Sequence, residues 1–178
     1  MTEIFLVRHC QAAGQEREAR LTQQGIEQAQ QLAEFFAAVE IEHIVSSPYV
    51  RAVDSIKPTA RKKGLSIHTD ERLVERKLAG EPREDWRTCL RQTFGDLDLC
   101  FEGGESSRAA MLRAVAVCEE RLRTVQGSVI MVSHGNLITL LLKYFDHSIG
   151  FEDWEQMTNP DVYRIWHEDG WKIERNWR

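Results

Sequence analysis

Cysteine is scarce in this chain. The four residues, Cys10, Cys89, Cys100 and Cys118, are far apart and form no Cys-x-x-Cys pair. That argues against a zinc ribbon or a thioredoxin-like dithiol. In a domain of this size it reads as reduced thiols, which sets the expectation of a cytoplasmic protein. Long apolar runs are also missing. The longest, Leu137–Leu142, is interrupted by Thr139 and falls well short of the ~20 residues of a membrane span. Met1-Thr2-Glu3 lacks the positive charge of a secretory leader, and the apolar run Ile4–Val7 is too short for its core. Nor is there a surplus of positive charge: 23 Lys and Arg stand against 28 Asp and Glu, a net charge of −5. Phosphate backbones are bound through excess cation, so a nucleic-acid partner is not expected. A small phosphorylated substrate needs only a local cluster of arginines and remains open, while oligomeric state is left undetermined.

What is present suits one globular domain spanning 1–178. The 178 residues compare with about 150 per domain, and a chain of this mass buries about 70% of its unfolded surface without a disulfide or metal staple. Purely apolar, β-rich runs at Ile4–Val7 and Val129–Val132 read as buried strands, with further strands at Ile41–Val45 and, shorter, at Leu65–His68. Between them the spacing predicts helices. One opens at Thr22 as N-cap; one runs from Ser47-Pro48 to about Lys63, with Gly64 as its stop and Pro58 expected to kink or shorten it. A long helix is predicted over 106–125, and another runs from His134 through Leu142. The tail reads as a hairpin around Asp169-Gly170. Segment 70–104 breaks the pattern. It is charged, with one short helix near 84–93, and is read as an insertion over the site. The expected fold is therefore α/β: three α/β/α layers, a mostly parallel central sheet and a small, mainly helical insertion.

In such sheets ligands bind at the carboxyl ends of the strands. That places Arg8-His9, Ser46–Arg51 and His134-Gly135-Asn136 around one crevice. Two arginines and two histidines there make a pocket for a dianion, because guanidinium forks match phosphate oxygens. The helix starts after Pro48 and His134 are expected to add backbone donors. One imidazole can act as a nucleophile toward phosphorus.

Five short motifs then fall in a recognisable order. Leu6-Val7-Arg8-His9-Cys10, Leu21-Thr22-Gln23-Gln24-Gly25, Ser46-Ser47-Pro48-Tyr49-Val50-Arg51-Ala52, Gly103-Gly104-Glu105-Ser106 and Val132-Ser133-His134-Gly135 together resemble the histidine phosphatase superfamily, which includes phosphoglycerate mutases and broad-specificity phosphatases. The resemblance implies that His9 is the nucleophile, that Arg8, Arg51 and His134 hold the phosphoryl oxygens, and that Glu75 in Leu73-Val74-Glu75-Arg76 is the general acid. Gln15, where relatives place an asparagine, is an implied substrate contact, and Gly135 and Arg76 are further candidates for one. No cofactor and no metal ligand set is implied. The reaction expected is hydrolysis of small phosphomonoesters; the alternatives are a phosphoglycerate mutase, a phosphoprotein phosphatase and a non-catalytic phospholigand sensor. One departure stands out: the family glycine after the first histidine is Cys10 here. It is either a thiolate at the cleft lip or an inert thiol turned into the sheet. Arg76, Arg83, Arg87 and Arg91 read as a solvated face from which one or two could reach substrate, and Trp154, Trp166 and Trp171 as packing residues.

Overall fold

The computed structural model describes residues 2–177. Its sheet is built outward from two apolar strands, β1 (Ile4–Arg8) and β4 (Val129–Ser133), which pair in parallel from Ile4 with Val129 to Arg8 with Ser133. β2 (His43–Ser46) lies on the far side of β4, and β3 (Ile67–Thr69) lies beyond β2, both parallel. β5 (Asp161–His167) flanks β1 antiparallel and is joined by a hairpin to β6 (Trp171–Arg175). The order is β3-β2-β4-β1-β5-β6, a mixed sheet with a parallel core.

Side chains alternate across the pleat, and both faces are apolar, as a parallel core covered on both sides requires. Phe5, Val7, Ile130 and Val132 pack against α1 (Gln23–Phe35) and α2 (Val50–Lys63), burying Leu32, Phe36 and Ile56. Ile4, Leu6, Val129 and Met131 point the other way, onto α4 (Ser107–Thr124) and α5 (Gly135–Phe145). The result is the three-layer α/β arrangement expected.

Thr22 caps α1, its hydroxyl accepting from Gly25 N at 3.0 Å. Ser106 caps α4 in the same way through Ala109 N. Gly64 ends α2 in the left-handed region at φ 67°, where a glycine carries no Cβ penalty. The expectation that Pro58 shortens α2 is not met: the helix runs through it to Lys63. The carbonyl that Pro58 deprives of a donor belongs to Asp54, which is only partly buried, so water can take the place of the missing N–H.

Segment 70–104 carries a 3-10 turn, Glu71–Leu73, and α3 (Trp86–Gly95), two residues later than predicted. A further short helix, α6 (Phe151–Gln156), had no counterpart in the sequence reading. α3 and α6 meet through Phe94 and Phe151, whose ring centroids are 6.2 Å apart.

Candidate active site

β1, β2 and β4 all deliver their last residues to one edge of the sheet, and the next turn of chain after each carries the polar groups. His9 is held there by two contacts. Its Nδ1 lies 2.7 Å from the Cys10 carbonyl; a carbonyl can only accept, so Nδ1 carries the proton and Nε2 presents its lone pair. Arg51 Nε donates to that Nε2 at 3.2 Å. Burial pushes the His9 imidazole down to about 4; the Cys10 hydrogen bond opposes it, and the Arg51 and Arg8 charges act with the burial. His9 is thus neutral at pH 7.

Arg51 is 1% exposed and donates through Nη1 to the Glu16 carbonyl at 2.7 Å. Its guanidinium stacks over Tyr49, 4.9 Å from the ring centroid. His134 caps the start of α5. Its ring centroid lies 5.1 Å from that of His9, and its Nε2 is 2.8 Å from Ser47 Oγ. Its Nδ1 is buried without a partner. Burial first, and then the neighbouring His9 ring and the Arg51 and Arg8 charges, hold His134 well below the ordinary imidazole range.

Arg8 crosses the start of α5 at Gly135. A Cβ there would sit 3.1 Å from Arg8 Cζ and Nε, so the glycine is what lets the guanidinium lie this close to the helix. Arg8 Nη1 donates to the Met157 carbonyl at 2.9 Å, and Nε is buried and unpartnered. Asn159 from the same loop donates to the His9 carbonyl at 2.8 Å. The loop is tied down by Asp161. This fully buried carboxylate accepts from Thr158 N and from two arms of Arg175 at 3.0 and 2.6 Å. Neither Asp161 nor Asn159 carries a sequence motif that would have singled it out.

Glu75 reaches the same cleft. Its Oε1 accepts from Arg76 N at 2.8 Å and Leu137 N at 2.9 Å, and its Oε2 accepts from Asn136 N at 3.0 Å. A carboxylate at a helix start is favourable by dipole and by hydrogen bonding. It also corrects the expectation of open backbone donors: those of Asn136 and Leu137 are taken by Glu75, and those of Tyr49 and Val50 by Ser47 Oγ and the Arg17 carbonyl.

A cavity of about 360 Å³ adjoins these groups. Arg8, Gln15, Glu75 and Asn136 line it from the sheet edge. Arg76, Leu78, Trp86 and Leu90 line it from segment 70–104, and Trp154 from α6. Gln15 is therefore at the cleft, on exposed chain. Arg76 is not a solvated arginine; it is 4% exposed. Trp154 is not packing alone. Cys10 is fully buried among α1 and α2 residues, its N–H donates to Ser55 Oγ at 2.8 Å, and burial pushes its thiol up to about 11. The cleft-lip thiolate is thereby ruled out; the inert alternative holds, and Cys10 is not among the residues of positive φ. Among the described residues no group of three or more His, Cys, Asp or Glu side chains is placed to hold a metal ion, and no helix is long and apolar enough to cross a membrane.

A depressed histidine has a consequence for stability. The unfolded chain protonates His9 near 6.5, whereas the folded one holds out to about 4. Between these values the unfolded state binds more protons, so the free energy of unfolding rises with pH. Urea unfolding at pH 4.5 and 6.5 should show a loss of about 2 kcal/mol at the acid end attributable to His9. His9→Gln should flatten that dependence; an unchanged slope would contradict the buried neutral imidazole.

Two neutral imidazoles and two guanidiniums converging at the carboxyl edge of a parallel sheet form a cleft built for an anion. The comparisons give the family. The chain belongs to the histidine phosphatase superfamily (branch 1), whose model matches residues 4–177. It is 28% identical to a probable phosphoglycerate mutase, GpmB, of Salmonella choleraesuis (strain SC-B67), over an alignment covering 98% of this chain and 92% of that protein. The native structure of a mycobacterial glucosyl-3-phosphoglycerate phosphatase superposes with a TM-score of 0.78 at 22% identity, covering 97% of both chains. A phosphoserine phosphatase variant from Entamoeba histolytica, in complex with phosphoserine, gives 0.76 at 19% identity, covering 99% of this chain and 97% of that one. At these identities the structures establish the shared fold.

Proposed function

We propose that this chain is a metal-independent phosphomonoesterase that hydrolyses small phosphorylated metabolites through a phosphohistidine. The observation that carries the reading is the state of His9: Nδ1–H is spent on a carbonyl, burial keeps the ring neutral, and the unprotonated Nε2, met by Arg51 Nε, sits within a guanidinium–imidazole cage. Nε2 attacks phosphorus in line as the P–O bond to the leaving group breaks. The charge on the phosphoryl oxygens is met by Arg8, Arg51 and the unpartnered Nδ1 of His134, all fixed before substrate arrives. Glu75 gives a proton to the leaving oxygen. It then takes one from the water that attacks the phosphohistidine, breaking the P–N bond and releasing phosphate. Gln15, exposed at the rim of the cavity, is the substrate contact this reading assigns to the β1 loop.

The relative named as a mutase gives the competing reading, in which the phosphoryl group returns to an organic acid. Incubation with 3-phosphoglycerate and a bisphosphoglycerate primer separates the two. Release of inorganic phosphate with little 2-phosphoglycerate, undiminished by EDTA, is the expected result. Rapid equilibration of the isomers without phosphate release would establish the mutase, and loss of activity in EDTA restored by a divalent ion would refute metal independence.

A further inference from the structure

The half of the cleft beyond the phosphoryl cage is lined with indole and leucine. Trp86 opens α3 and is 47% exposed; Trp154 stands on α6, and the two rings meet edge to face with centroids 6.0 Å apart. Leu78 and Leu90 complete this wall. An exposed tryptophan at the mouth of a concave apolar surface is the kind of group that binds by contact area.

Each cation near this wall is tied to a protein partner. Arg76 donates through Nε to the Glu105 carbonyl at 2.9 Å and through Nη1 to Thr93 Oγ1 at 3.0 Å; its Nη2 has no partner but is closed off from solvent. Arg91 pairs with Glu152 at 3.0 Å and lies over Phe151, while Arg87 pairs with Glu155. Arg83 is held by Asp85. A leaving group bearing its own carboxylate would have to desolvate that charge against indoles and compete with Glu152, Glu155 and Asp85 for the guanidiniums of segment 70–104, or open the closed Arg76 Nη2.

We propose that Trp86 and Trp154 form the leaving-group wall, and that the preferred substrates are phosphomonoesters of alcohols with an aromatic or extended apolar body rather than phosphorylated acids. This rests on the phosphomonoesterase reading and narrows its substrate class.

The test compares three primary alkyl esters whose leaving oxygens are chemically alike: 3-phenylpropyl phosphate, glycerol 3-phosphate and 3-phosphoglycerate. The kcat/KM for the phenylpropyl ester should exceed that for glycerol 3-phosphate by about 10-fold or more, from the area the phenyl group buries and its aromatic contact. 3-Phosphoglycerate should be the poorest of the three. Trp86→Ala should bring the phenylpropyl-to-glycerol ratio to within about threefold, mainly through KM, while Trp86→Phe keeps much of it. Trp154→Phe, which preserves packing on Phe151, should have an intermediate effect, and thermal melts confirm that each variant is folded. An undiminished ratio in Trp86→Ala overturns the proposal. So does preference for 3-phosphoglycerate that Arg76→Gln selectively removes, since Arg76 would then read a second anion. Equal hydrolysis of all three esters defeats the wall alone; no hydrolysis of any defeats the phosphomonoesterase reading beneath it.

Discussion

Replacing His9 by alanine should lower turnover by about 10⁴-fold or more, because the covalent route loses its nucleophile and no neighbouring group can take over. His134 is the only other imidazole in the cage, and its Nε2 is already 2.8 Å from Ser47 Oγ, with the ring wedged 4.9 Å from that of Tyr49. Arg51 loses its contact with His9 Nε2, but both guanidiniums keep an anchor independent of His9, the carbonyls of Glu16 and Met157. His9→Ala should therefore still bind inorganic phosphate while failing to react. With a ³²P-labelled ester, the unmodified protein quenched during turnover should yield a phosphoenzyme stable in base and labile in acid, as a P–N bond is. His9→Ala should yield none. Full turnover in the variant, or an acid-stable adduct in the unmodified protein, would remove the phosphohistidine from the mechanism.

The parts of this molecule that read directly from sequence are those in which one residue type has one physical meaning. Val129–Val132 and Ile4–Val7 could only be strands covered on both faces. Thr22 and Gly64 mark helix ends through their own capping chemistry. His9, Arg51 and His134 follow those strands closely enough that the parallel sheet brings them to one edge. The wall and the supporting loop were hidden for the opposite reason. α6 has six residues with acidic side chains at Glu152 and Asp153, too short for a helical period to appear. Trp86 and Trp154 become cleft residues only because α3 crosses to α6. Asp161 looks like any aspartate until Arg175, from the edge strand, closes over it. Arg76 sits in a run of arginines whose other members do pair at the surface; its burial comes from Thr93 and the Glu105 carbonyl, contacts that local sequence does not encode. Cys10, by contrast, follows from alternation: with His9 directed to the cleft, its neighbour turns into the α1–α2 layer.

Glu75→Gln should separate good leaving groups from poor ones. An alkoxide leaves only if it is protonated as the P–O bond breaks, whereas p-nitrophenolate leaves without help. The kcat/KM reports the step up to cleavage of that bond, so for glycerol 3-phosphate it should fall by about 10²–10⁴-fold, and for p-nitrophenyl phosphate by less than about 10-fold. The second half of the cycle behaves differently. If the same carboxylate takes the proton from water, the phosphohistidine is hydrolysed slowly whatever alcohol has left. Mixing Glu75→Gln with p-nitrophenyl phosphate should then give a burst of p-nitrophenol close to one equivalent of enzyme, followed by a slow steady state, and the acid-labile phosphoenzyme should accumulate. The substitution also has a structural cost. Two carboxylate oxygens now serve three N–H groups, those of Arg76, Asn136 and Leu137; an amide has one acceptor oxygen and turns an NH₂ toward at least one of them, a loss of about 1–3 kcal/mol of stability. That loss lowers the melting temperature but depends neither on the leaving group nor on a burst, so leaving-group sensitivity and burst separate proton transfer from helix capping. Equal losses in kcat/KM on both esters with no burst would leave Glu75 as the cap of α5 and place the general acid elsewhere.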